Sequence, residues 1–480
     1  MSSCSHRPAR ASISSRTTRT AAAPSAPSSQ PAIPDVEGEG NPGRAAKEAA
    51  MARVAARASA SAPAVVQPDR AARSRRAPEG TPLIYVVMCL LAGGAVMVYS
   101  ASSGTTVVQG GDGMGFLTKY VVYAALGFVA MHWIARTPLD RVLRMTGPLL
   151  AVSMALLFAV KVPGLGVSVN GAQRWLGAGP LQFQPSEIAK LALVLYAARF
   201  LAERPRGLRT IKDLLPLGIV VISSVGLVLL QPDLGTALVI IFTMGAMLVA
   251  AGVPWPWIWT LGGCGAFLVS LYSLSAPYRR ARLTTFLNPW DHAADAGFQS
   301  VQGQIAIGSG GVVGRGLGQS VQKIFYLPEA HTDFILAIIG EELGLLGIFG
   351  LIVLYGAFAW AGLRIAQQAK GRYAALLAGG LTSLVLCQAS LNLFAVLGLA
   401  PLTGVPLPFI SYGSTNLVVL LAATGLLINV ARGGSVHLRA VTQGPDAQRS
   451  TADADDLRDR RRGDSRARGA GARGGRRAAG

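Results

Sequence analysis

The sequence predicts an all-α, polytopic membrane protein of about ten transmembrane helices, with one large extracytoplasmic loop and two disordered tails. Three observations carry that prediction. Hydrophobic residues make up 51% of the 480-residue chain and charged residues only 14%, where soluble domains carry about 25% charged. Apolar runs long enough to cross a bilayer as helices recur along the chain. Lysine and arginine concentrate in alternate connections between those runs. A mean hydropathy of +0.43 agrees.

Residues 1–80 are rich in Ala, Ser, Pro and Arg and lack apolar periodicity, so they read as a disordered basic tail. The first 30 residues contain no apolar signal segment, and insertion is expected to start from an internal helix. Apolar spans then fall near 81–103, 116–135, 146–163, 185–202, 214–230, 234–252, 256–277, 334–363, 373–397 and 413–431. The run at 334–363 exceeds what a bilayer needs, so tilt or an extension beyond lipid is expected. Residues 432–480 form a second disordered tail with an Arg-rich run at 458–462, which leaves 81–431 as the membrane domain.

An even number of spans puts both tails on one side. Arg136, Arg141 and Arg144 share one short loop, Arg204, Arg206, Arg209 and Lys212 a second, and Arg364, Lys370 and Arg372 a third. All three fall on the side of the tails, which the positive-inside rule makes cytoplasmic. The net charge of +20 arises largely in the tails and these loops. Basic segments beside membrane helices sit on the anionic cytoplasmic leaflet, and no nucleic-acid partner is expected. Of the four cysteines, Cys4 lies in the tail and Cys89, Cys264 and Cys387 in apolar runs, so they read as small core hydrophobes rather than a disulfide framework or zinc cluster.

The opposite side holds four unusual segments: Val162 to Glu187, the turn Gln231-Pro232-Asp233-Leu234-Gly235-Thr236, the loop Ala276 to Asp333, and Gly398 to Ser414. The third spans nearly sixty residues, and loops of that size in compact domains are usually functional. Asp233 re-enters the membrane edge as a bare carboxylate, which calls either for a role as helix cap behind Pro232 or for a function. Glu187 and Lys190, three apart, share a helix face and form either a buried structural pair or a site whose Lys190, with Arg174 or Arg279, binds an anionic group. His331 and Asp333 are a weak metal signal, and a hydrogen-bonded cap explains them as well. Trp175 suits an interfacial anchor, and Gln388 and Asn392 suit interhelical hydrogen bonds. The Gly-rich run from Gly308 to Gly318 has neither P-loop nor dinucleotide spacing; it reads as a flexible, close-packing loop whose N–H groups are open to an anionic headgroup.

In combination these segments resemble the SEDS family of peptidoglycan polymerases. The resemblance rests on Gln173-Arg174-Trp175-Leu176 and Gln184-Pro185-Ser186-Glu187-Ile188-Ala189-Lys190, then Gln231-Pro232-Asp233-Leu234-Gly235-Thr236. It continues through Leu327-Pro328-Glu329-Ala330-His331-Thr332-Asp333-Phe334, Gly340-Glu341-Glu342 and Pro408-Phe409-Ile410-Ser411-Tyr412-Gly413. It covers about residues 81–431, and Ser320 to Tyr326 is closer to division-type than to elongation-type members. One departure is Ser414-Thr415, where the family pattern has Gly-Ser after Tyr-Gly.

The resemblance implies a glycosyltransferase that polymerises lipid II, a disaccharide-pentapeptide on undecaprenyl diphosphate, into β-1,4 glycan at the outer membrane face. On that reading Asp233 is the general base for the acceptor hydroxyl, and Arg174, Lys190 and Arg279 meet the leaving diphosphate. Trp175, Glu187, His331, Asp333 and Ser411 complete the substrate-binding set. A divalent cation, Mg or Mn, is an expected helper. A class B penicillin-binding transpeptidase and other divisome membrane proteins are the implied partners, at the division septum. A lipid II flippase is the rival reading, and it requires polar groups accessible from both leaflets, whereas here they crowd one face.

Overall fold

A computed structural model of the chain describes residues 80–108, 113–169, 172–178, 181–204, 210–275, 280–281, 285–295, 297–324, 327 and 330–436. The two expected tails, 1–80 and 432–480, lie outside these residues apart from Gly80 and 432–436.

Each of the ten expected spans is a helix. In chain order they are α1 (Thr81–Val108), α2 (Gly115–Arg136), α3 (Leu139–Ala159), α4 (Pro185–Glu203), α5 (Ile211–Leu230), α6 (Leu234–Ala250) and α7 (Trp255–Leu274). A shorter α8 (Phe298–Gly310) lies in the long connection, followed by α9 (Ile335–Gln368), α10 (Arg372–Val396) and α11 (Ser414–Ala431). Among the described residues, eight helices are long and apolar enough to cross a membrane. The other two of the ten are α6, apolar but 17 residues long, and α4, which carries Glu187, Lys190, Arg199 and Glu203.

Local sequence sets the helix starts. Pro185 opens α4 in the first turn, where its missing N–H costs nothing. Thr210 and Asp213 form a reciprocal capping box on α5. Helices α4, α10 and α11 are buried along most of their length and form the centre of the bundle. Helix α11 packs on α2, α10 on α4, α6 and α9, and α9 on α1. By contrast α7 touches α6 and turns Trp255, Trp259 and Phe267 outward. With Trp133, Ile222 and Phe349 these make an apolar outer surface suited to lipid rather than water.

The two ends of the bundle differ. At one, Asn429 Nδ2 donates to Ile134 O at 3.0 Å and Arg372 to Ala251 O at 2.9 Å, tying the end of α11 to that of α2 and the start of α10 to the end of α6. At the other, the four unusual segments meet.

Two features correct the sequence reading. The segment after α3, expected only as an unusual outer connection in an all-α protein, is a three-stranded antiparallel sheet of order β1-β2-β3: β1 (Gly166–Val169), β2 (Ala172–Ala178) and β3 (Leu181–Phe183). Val169 pairs with Ala172 across a two-residue connection and Val167 with Trp175. The sequence signal was there, because Asn-Gly between alternating apolar residues is a strong hairpin signature.

The second correction concerns the Gly-rich run: it packs closely, as expected, but as a seal whose Arg315 and Gly316 N–H groups are taken up inside the protein. Helix α9 is 34 residues long and breaks at Gly344, with φ 65 and ψ −162. The break releases backbone groups, and the Gly-rich run takes them up. Leu345 N–H donates to Gly311 O at 3.0 Å and Leu346 N–H to Val312 O at 3.1 Å. In return, Arg315 and Gly316 N–H donate to the carbonyls of Glu341 and Glu342, each at 3.0 Å. Those N–H groups are thus engaged inside the protein and not open to a headgroup. A Cβ on Gly314 would stand 2.2 Å from Glu342 O, so the approach requires glycine. Cys89 and Cys264 also depart from expectation, being exposed on outward helix faces, while Cys387 is half-buried.

Candidate active site at the polar end of the bundle

Asp233 is the N-cap of α6. Its Oδ1 accepts Thr236 N–H at 3.1 Å, and its Oδ2 accepts the Thr236 hydroxyl at 2.9 Å and Gln184 Nε2 at 3.2 Å. Arg174, reaching over from β2, brings Nη1 to 4.0 Å from Oδ1. The same guanidinium donates to the carbonyls of Gln231, at 3.1 Å from Nε, and of Pro232. Asp233 is only 4% exposed. Gln184, just ahead of α4, also donates its backbone N–H to Thr415 Oγ1 at 3.0 Å. One residue therefore joins the starts of α4, α6 and α11.

One turn into α4, Glu187 and Lys190 form a buried ion pair, Nζ to Oε1 2.9 Å. Lys190 Nζ also donates to Gln388 Oε1 on α10 at 2.8 Å. Gln388 passes the chain on to Pro406 O and Asn416 Oδ1. Asn392, one turn further, donates to Val405 O at 2.7 Å and to Asp333 O at 2.8 Å. Gln388 is the interhelical link expected of it, while Asn392 instead ties α10 to the chain before α9 and to the 398–413 connection, in surroundings where an unpaired polar group would be costly.

Asp333, just before α9 at the polar end, is half-buried, its Oδ1 accepting the Thr332 hydroxyl at 3.1 Å. His331 stacks on Phe116 of α2, ring centroids 4.3 Å apart, and lies 5.8 Å from Tyr412. Tyr412 N–H holds the His331 carbonyl at 3.0 Å. Burial raises the Tyr412 phenol above its usual range, so it stands there as a neutral hydroxyl. Lys119, exposed on α2, sits 5.7 Å above the Phe116 ring.

The structure thus brings Arg174, Gln184 and Asp233 into one cluster, Glu187 and Lys190 into the layer beneath, and sets His331 and Asp333 just before α9. Trp175 is half-buried in β2, paired with Val167 in the sheet. Ser411 is buried, its Oγ accepting Leu407 N–H at 2.8 Å, which makes it a holder of the turn before α11. Arg279 lies outside the described residues. Among the described residues no three His, Cys, Asp or Glu side chains converge as a metal ion would need. Phe116 and Lys119 were not singled out by sequence reading; Gln184, beside a helix-opening proline, was read as part of a family motif but given no role of its own.

A model of the FtsW/RodA/SpoVE cell cycle protein family matches residues 81–435. This chain belongs to that family. It is 38% identical over 351 residues to stage V sporulation protein E of Bacillus subtilis (strain 168), covering 73% of this chain and 96% of that protein. It is 41% identical over 364 residues to the probable peptidoglycan glycosyltransferase FtsW of Thioalkalivibrio sulfidiphilus, covering 75% and 89%. Among solved structures it resembles one described as "Structural coordination of polymerization and crosslinking by a peptidoglycan synthase complex", with TM-score 0.62, 31% identity and coverage of 73% and 96%. It also resembles the rod shape determining protein RodA of Thermus thermophilus, with TM-score 0.55, 30% identity and coverage of 73% and 95%. The SEDS resemblance read from the motifs and this family are one. At the departure Ser414-Thr415, the Thr415 hydroxyl accepts Gln184 N–H, a bond that the serine of the family pattern can also make.

Proposed function

We infer that this protein is a peptidoglycan glycosyltransferase that polymerises lipid II into β-1,4 glycan strands for septal wall synthesis. The observation that carries the reading is the family match over residues 81–435 together with the relatives bearing that name. Its polar, loop-rich end is the outer end and both tails are cytoplasmic, a reading supported by the basic residues gathered at the opposite end. The partner is a class B penicillin-binding transpeptidase, supported by the resemblance to a synthase complex, and other divisome membrane proteins complete the assembly. The polar groups crowd one end of the bundle, which suits polymerisation on one leaflet rather than a path between two.

The acceptor sugar hydroxyl attacks the donor's anomeric carbon as the C1–O bond to the diphosphate breaks, inverting α to β. The hydroxyl proton goes to a carboxylate, and undecaprenyl diphosphate leaves. Asp233 is the base expected from the sequence, but its contacts are those of a buried cap with both oxygens engaged. Asp333, half-buried beside His331 just before α9 and so less enclosed than Asp233 at 4% exposed, is better disposed to meet a hydroxyl arriving from the membrane surface. We therefore assign Asp333 as base and Asp233 as the residue that orders the Arg174–Gln184 clasp. Lys119, Arg174 and Arg279 meet the leaving diphosphate, while Lys190 is held by Glu187 and Gln388. The described residues do not form a resident metal site, and no step is routed through a cation; chelation in the polymerisation assay tests whether the substrate diphosphate carries one.

The experiment is incubation of the purified protein and its transpeptidase with lipid II, followed by analysis for glycan strands. Asp333→Asn is expected to fold and to lose about a hundredfold to ten-thousandfold in rate. Asp233→Asn, which keeps the capping oxygen, is expected to stay within several-fold of wild type. The reverse outcome returns the base to Asp233; no glycan from wild type refutes the function.

A further inference from the structure

Asn392 of α10 is a buried amide that the assignments above leave without a part in the reaction, and it touches the chain at Asp333 itself. It is 2% exposed. Both amide hydrogens are used, since Nδ2 donates to the Asp333 carbonyl at 2.8 Å and to the Val405 carbonyl at 2.7 Å. Two acceptors at one end fix which end of the amide is nitrogen. The other end, Oδ1, is buried and has no hydrogen-bond partner among the described residues. An unpaired buried acceptor is costly. What the amide contributes is the junction of two carbonyls from separate segments.

That junction sets where Asp333 stands. On its own segment, Tyr412 N–H holds the His331 carbonyl at 3.0 Å. Phe334 is buried, and a Cβ added to Gly303 of α8 would lie 2.9 Å from its ring. On the other segment, a Cβ added to Gly404 would lie 3.7 Å from Asp333 Oδ2, and Gly404 has φ +67, which glycine adopts freely. The carboxylate therefore lies beside the bare backbone of the residue before Val405. The strip from Thr403 to Val405 is also packed against α6. A Cβ on Gly235, two residues after Asp233, would meet Thr403 O and Val405 Cγ2 at 2.4 Å each. Asp233 in turn has Arg174 Nη1 at 4.0 Å. One path of contacts thus runs from Asp333 through Asn392 and this strip to the start of α6 and Arg174.

In an in-line displacement, the base and the cation that meets the leaving group act on opposite sides of one carbon. Their separation is therefore part of the chemistry, and a misplacement of about 1 Å costs about a hundredfold in rate. We propose that Asn392 is a positioning residue: by tying the Asp333 carbonyl to that of Val405, it holds the Asp333 carboxylate in register with Arg174. The role rests on the glycosyltransferase reading with Asp333 as base. Asn392 acts through the backbone of Asp333 and not on the substrate, so its loss falls on the chemical step and spares binding.

The test is a double-mutant cycle, read as kcat and KM for lipid II with the purified protein and its transpeptidase. Asn392→Leu, close in volume but without donors, is expected to lower kcat about tenfold to a hundredfold and to leave KM within a few-fold. Placed on Asp333→Asn, where the base is already gone, the same change is expected to cost less than about threefold, because residues that act as a unit are not additive. A residue that only holds the fold would cost the same factor in both backgrounds, and that result overturns the role. So does a folded Asn392→Leu at wild-type kcat, or a loss confined to KM. Where thermal unfolding in lipid nanodiscs shows that Asn392→Leu does not fold, Asn392→Gln takes its place. It keeps both donors on an arm one methylene longer and is expected to lower kcat about tenfold, again with little further loss on Asp333→Asn; wild-type kcat in that variant overturns the role. Full activity of Asp333→Asn overturns the base assignment and this role with it, and no glycan from wild type overturns the function reading.

Discussion

Replacing Lys190 by Ala separates a structural ion pair from a substrate contact. The Lys190 and Glu187 side chains are 2% and 3% exposed, so neither is solvated. Glu187 Oε2 has no hydrogen-bond partner, which leaves Oε1 and its contact to Lys190 to compensate the carboxylate. Removing the ammonium strands that charge and deprives Gln388 Oε1 of its donor. Breaking a buried pair on one side costs about 3–5 kcal/mol, a shift of roughly a hundredfold to a few thousandfold in the folded population. Replacing both partners, with Glu187→Gln and Lys190→Met, removes both charges together and is expected to restore most of that stability. Thermal unfolding in lipid nanodiscs reads the first effect, and lipid II polymerisation below every transition reads the second. The reasoning fails if Lys190→Ala is as stable as wild type yet inactive, and the double variant is equally inactive. That pattern would make Lys190 a ligand of the diphosphate.

Three further outcomes follow from the geometry. Ser411→Ala leaves the buried Leu407 N–H unpaired and should cost about 1–3 kcal/mol; unchanged stability with a raised KM would restore Ser411 to the substrate-binding set. Gly314→Ala should destabilise by on the order of 2–3 kcal/mol, because its Cβ meets the Glu342 carbonyl at φ +87; a transition temperature equal to wild type would refute the seal. Val313, 74% exposed on the Gly-rich segment, should accept a cysteine that impermeant maleimide labels on intact cells, and labelling only after lysis would invert the topology.

Much of the fold was legible because hydropathy is a strong signal: a helix in lipid must satisfy its own backbone, so span positions follow from composition. What stayed hidden was non-local. Nothing near Asp233 says that Gln184, 49 positions earlier, will donate to its carboxylate. Nothing in the spacing of the glycines announces that the carbonyls of Gly311 and Val312 will receive Leu345 and Leu346. The sheet was readable from Asn170-Gly171, but its three strands are only four, seven and three residues long, too short for a strong alternation signal. Asp333 and Asp233 look alike in sequence, and only burial separates them, Asp233 at 4% exposed and Asp333 half-buried.

The break at Gly344 also bears on how thick a membrane this protein tolerates. Residues 335–343 add about 13 Å of helix before it and residues 345–368 about 36 Å after it, at about 1.5 Å per residue. The longer arm alone spans a hydrocarbon core of about 30 Å. Glu341 and Glu342, fully buried on the shorter arm, are neutralised by Arg315 and Lys323 at 3.4 and 2.8 Å. Their solvation is therefore supplied by the protein and not by the depth at which the arm sits. A thinner or thicker bilayer can slide along the long arm without exposing either carboxylate to lipid.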